Sequence, residues 1–160
     1  MLMTKTPAAL AALTLLAVSA ALPRADASDE EAVKPTHYTI AVGICGYSPV
    51  SYFESGPEPG SPAYPVVHGG VTYFLTVPEQ VDLFMADPTK YLPAYGGWCA
   101  FGMAVEDHFA VDPTSYKIVD GRLMLFLKTP DVDARALWDE QGDGAAKAKA
   151  DAFWNRAHGG

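Results

Sequence analysis

The chain has 160 residues, 49% of them hydrophobic and 19% charged, with a formal net charge of −8 and a pI near 4.8. That length suits one compact domain, and the apolar share is too high for a disordered chain. The acidic balance argues against a nucleic-acid partner or an anionic membrane surface, both of which need a basic face.

Residues 1–27 read as a secretory signal rather than as part of the fold. Lys5 supplies the positive charge, residues 8–22 are small and apolar, and Ala25-Asp26-Ala27 has the form of a cleavage site. A spanning helix needs about 20 apolar residues, more than this run offers. The expected mature domain is therefore 28–160, with 9 basic and 18 acidic residues and a charge of −9. Export, periplasmic or secreted, places its thiols in an oxidising compartment.

The alternating segment 37–42 predicts a first strand, and the Pro- and Gly-rich segment 56–65 a surface loop. Residues 64–67 and 71–75 flank His68-Gly69-Gly70 and predict a hairpin. Thr76 and Glu79 form a capping-box pattern, followed by Val81, Phe84 and Met85 at helical spacing, and Pro88 stops that helix near Ala86. Residues 116–119 and 122–127 flank Asp120-Gly121, the strongest hairpin signal in the chain, and the second strand is apolar enough to be covered on both faces. Two C-terminal helices follow over 130–158. One starts at Thr129-Pro130 and runs through Trp138. The other is capped by Asp143 and carries Ala146, Ala150, Phe153, Trp154 and Ala157 as its apolar stripe. The expected fold class is α+β: a small antiparallel sheet with hairpins, short helices and a helical C-terminus.

Three groups have the composition of a site. Cys45 lies on the Gly-rich turn of residues 43–53, where regular structure is prevented and the thiol can be exposed. Cys99 lies among glycines and aromatics in residues 95–103. The histidines are His37, His68, His108 and His158; His68 is expected at an exposed turn, and His158, near the chain end, to play no part. Two cysteines are too few for a Cys-only zinc site, but they suffice for one bridge or for two ligands of a mixed site. Paired thiolates favour copper or zinc, with His37, His108 or the Met103 thioether completing the shell. A Cys45–Cys99 disulfide is the competing outcome, and unpaired thiols are the third. Tyr47, Tyr52, Tyr95, Trp98 and Phe101 are the residues that could line an aromatic binding pocket, or else fill the core. The chain has no nucleophile elbow, no H-E-x-x-H and no phosphate or dinucleotide loop, so no enzymatic activity is expected.

Several of these segments carry a family resemblance. GYSPVSYF (46–53), the hairpin with Tyr73-Phe74, and Phe84 with Asp87-Pro88-Thr89-Lys90-Tyr91 are its first half. Tyr95 with GGWCAFG (96–102) and IVDGRL (118–123) are its second. Over a core of 43–128 the chain resembles the YHS domain family, and specifically its exported stand-alone members. The resemblance implies a small α+β metal-associated module; relatives occur fused to copper-transporting ATPases and in heavy-metal resistance contexts. Cys45-Gly46 fits the early Cys-Gly pair of metal-binding relatives. Their second thiol position, after the Tyr-Phe strand, has no cysteine here, so Cys99 is expected to supply it. The expected function is the binding or buffering of a soft transition metal, copper first, through Cys45 and Cys99. The alternative is a disulfide-stapled module that binds an exported protein or a small ligand. Neither reading involves nucleic acid, nor a membrane in the mature form.

Overall fold

Two turns with consecutive positive φ values set the strand pairing. Gly69 and Gly70, at 54° and 75°, join β1 (Pro65–His68) to β2 (Val71–Phe74). Asp120 and Gly121, at 49° and 77°, join β3 (Asp112–Val119) to β4 (Arg122–Phe126). Both are the two-residue loops whose twist matches antiparallel strands, and both fall where their glycines predict them. The computed structural model describes residues 42–159. The signal-like segment, the acidic lead-in, His37 and the rest of the expected first strand lie outside them. Val42 alone represents that strand, bridging Thr72 in parallel.

The architecture is the expected α+β, and among the described residues the strands form two two-stranded antiparallel sheets. β4 is the wall between two apolar clusters. Leu123 and Leu125 point into one, with Ile44, Val50, Tyr52, Tyr73, Leu75, Phe84 and Tyr91. Met124 and Phe126 point into the other, with Tyr95, Cys99, Met103, Trp138, Ala146, Ala150 and Trp154. These four apolar β4 side chains are fully buried, as the apolar run predicts, and burial of each contributes about 1.5–3 kcal/mol. The outer edge of β4 is met in parallel by Pro93 at Leu123 and by Cys99 at Leu125.

Helix α1 (Pro78–Ala86) ends where Pro88 requires, but Thr76 does not cap it. Val77 is the N-cap, extended ahead of Pro78, and no side chain caps there. Buried Gln80 takes over: its Oε1 accepts from the Thr76 amide at 3.0 Å and from Ser48 Oγ at 2.7 Å, while its Nε2 donates to Glu54. A buried amide must find partners, and that demand displaces the capping box. Phe84 faces the core, whereas Met85 is exposed. The short α2 (Pro88–Tyr91), capped by Asp87, and α3 (Ala100–Ala104) follow.

The C-terminal helices start later than expected. Thr129 and Val132 close a turn on each other, and α4 (Ala134–Gln141) begins at Asp133, whose carboxylate accepts from the Arg135 and Ala136 amides. Gly142, not Asp143, caps α5 (Asp143–His158). The Asp143 carboxylate is taken instead by Trp138 Nε1 and Lys117 Nζ, at 2.8 and 2.7 Å. The buried stripe of α5 is Ala146, Ala150 and Trp154, with Phe153 half-buried and Ala157 exposed. Two alanines in that stripe let α5 lie close against α3, which matters for the site below.

Candidate metal centre

Cys99 is fully buried against β4 and caps the first turn of α3. Its Sγ accepts from the Gly102 amide at 3.4 Å and from the Leu127 amide at 3.3 Å. Burial pushes the thiol pKa up, against the opposing pull of the Leu127, Gly102 and Phe101 amides. A protonated thiol already used as an acceptor is a poor metal ligand, because the ligand is the thiolate. Met103 is likewise fully buried, in the same cluster.

Cys45 is exposed, as its Gly-rich setting predicts, on the 3-10 turn Gly43–Gly46. Ile44 and Cys45 both adopt left-handed φ values, 50° and 51°; fully buried Ile44 anchors the turn and leaves its neighbour outward. Neither cysteine is in a disulfide, and the two are not at disulfide distance. The structure therefore does not bring together the thiol pair on which both the two-thiolate site and the stapled module depend. Among the described residues, no group of three or more His, Cys, Asp and Glu side chains converges as an ion would need.

The aromatic residues do not form one pocket either. Tyr47 and Tyr52 pack in the cluster on one face of β4, and Tyr95, Trp98 and Phe101 in the cluster on the other. Tyr52 donates to the Pro113 carbonyl at 2.6 Å, and Tyr95 to Asp151 at 3.0 Å. Burial is the first cause that raises both phenols well above the usual tyrosine range. They are core residues with their hydroxyls satisfied.

His108 does find a partner. After α3 the chain turns back through Glu106, at φ 65°, and the Asp107 amide donates to the Gly102 carbonyl. A Cβ on Gly102 would lie 2.9 Å from both the Asp107 carbonyl oxygen and Phe109, so only glycine lets this loop sit on the helix. The His108 amide is held by Asp107 Oδ1 at 2.7 Å. Its ring stands edge-on to Trp98, with centroids 4.9 Å apart, and packs on Phe153 at 5.6 Å. Nε2 of His108 then lies 3.1 Å from Nε2 of His158, in the last turn of α5.

His158 is half-buried and stacks on Trp154, so it is part of the packed structure rather than a frayed end. Glu106 and Arg156 form an ion pair at 2.8 Å beside this contact, and the Arg156 guanidinium lies over the Phe153 ring. His68 is half-buried near Phe84 on the opposite side of the chain's core. The sequence offered one hint of the imidazole pair. Trp154 and His158 are four apart on a helix, on the face that Ala146 and Ala150 bury.

Among the described residues no helix is long and apolar enough to cross a membrane. Comparison with protein-family models, with curated proteins and with solved structures finds no match.

Proposed function

We propose that this chain is an exported YHS-like module that binds a transition-metal ion, copper foremost, without catalysing a reaction. One observation carries the reading: two imidazole nitrogens 3.1 Å apart, each ring held by aromatic neighbours. Imidazole is a ligand for copper, zinc and nickel, and a pair fixed by packing loses little entropy when an ion arrives. The family resemblance over residues 43–128 favours a metal ion as ligand, although the positions it marks are the cysteines rather than this imidazole pair. The signal-like residues 1–27 favour an exported setting, where a metal or an exported protein is the natural partner. The stapled interaction module has less support, because its two cysteines are not at disulfide distance.

Equilibrium dialysis of the purified chain against copper and zinc tests the proposal. About one ion per chain is expected, bound tighter than about micromolar. His108→Ala should weaken binding at least tenfold, and Cys99→Ser should not. Absence of binding at that level overturns the proposal, as does binding unchanged in a His108→Ala/His158→Ala variant.

A further inference from the structure

Donor type and spacing together restrict which ion the imidazole pair accepts. We infer that the ion held by His108 and His158 is a borderline divalent one, Cu2+ first, bound through two adjacent nitrogens. The inference rests on the reading that this pair is the binding site.

With metal–nitrogen bonds of about 2.0–2.1 Å, nitrogens separated by 3.1 Å subtend about 100° at the ion. That angle lies between the 90° of a square-planar or octahedral ion and the 109° of a tetrahedral one. A linear two-coordinate Cu(I) would need the same nitrogens about 4 Å apart. Separating the rings so far means shifting them against their aromatic neighbours. Trp98 and Phe153 flank His108, and Trp154 lies against His158 at 4.0 Å between centroids.

Donor softness points the same way. Cu(I) selects thiolates and thioethers, but the Cys99 thiol and Met103 are both fully buried within the core cluster. Among divalent ions, nitrogen sites favour Cu2+ over nickel and zinc. Where the two rings share a hydrogen bond, one Nε2–H donates to the other Nε2, and an ion that takes both lone pairs requires that hydrogen to sit on Nδ1 of its own ring.

Among the described residues, no third His, Cys, Asp or Glu joins the pair, and the nearby Glu106 carboxylate is engaged by Arg156.

Parallel titrations with Cu2+, Ni2+, Zn2+ and, under reducing conditions with a competing Cu(I) chelator, Cu(I) test this. Cu2+ should bind at least tenfold tighter than Zn2+, at one ion per chain, with the chain remaining monomeric. Electron spin echo modulation of the Cu2+ form should report two imidazole nitrogens, falling to one in His158→Asn or His108→Asn. The first of these variants sits in the last helical turn, so it keeps the test open should the other fold poorly. Cu(I) binding tighter than Cu2+ and lost in those variants would overturn the inference alone. So would half an ion per chain in a dimer. Binding of no ion overturns the proposed function as well.

Discussion

The imidazole of His158 lies 4.0 Å from the ring of Trp154, tilted by 33°, one turn further along α5. Trp154 is itself 5% exposed and belongs to the core cluster, so the packing of the core sets where that imidazole points. Trp154→Ala should cost about 3–5 kcal/mol of stability, from lost burial and the cavity left behind. Trp154→Phe should cost less, yet still weaken metal binding severalfold, because a smaller ring no longer backs His158. Urea unfolding and a copper titration on the same samples check both effects. Unchanged affinity in Trp154→Phe would separate the site from the core.

Thiol chemistry distinguishes the two cysteines. In the native chain one thiol, the exposed Cys45, should react with a thiol reagent, and the second, buried Cys99, only after unfolding. Cys99→Ala should cost about 2–4 kcal/mol, since it opens a small cavity and leaves the buried Gly102 amide and the part-buried Leu127 amide without their acceptor. Two unreactive thiols in the native chain, released only by reductant, would mean that a bridge forms after all.

Asp143 makes the stability acid-sensitive. Lys117 first, then Trp138, hold its carboxyl below the usual carboxylate range. A depressed folded pKa stabilises the native state above the unfolded value of about 3.9, and that contribution is lost as pH falls through the folded value. Asp143→Asn should therefore unfold at lower denaturant than the parent at pH 6. Its deficit should shrink steadily as the pH is taken below about 4. Urea midpoints measured from pH 6 to pH 2.5 give the comparison; a constant deficit would assign the loss to packing instead.

Much of the fold was legible because its signals are local. Asp120-Gly121 and Gly69-Gly70 state their own turn geometry, and the apolar run 122–127 states its own burial. What failed was competition. Thr76 could have capped α1, but buried Gln80 claimed the same amide from 32 positions away from its other partner, Ser48. Asp143 could have capped α5, but Trp138 and Lys117 claimed its carboxylate.

The site was harder for the same reason. Cys99 carries the composition of a ligand, and only the placement of β4 beside it shows that the sulfur serves the backbone. His108 and His158 are 50 residues apart, and no pattern in either segment announces the other. Their meeting depends on the close seating of α3 on α5 and on a loop that Gly102 alone permits.

Because β4 is the shared wall of both apolar clusters, the chain has no independent half to lose. Opening either cluster strips one face of the same strand, so the two sides should melt as one transition rather than in sequence. An ion at His108 and His158 would then protect the amides of β1 and β2, on the far side of that wall, as much as those of α5.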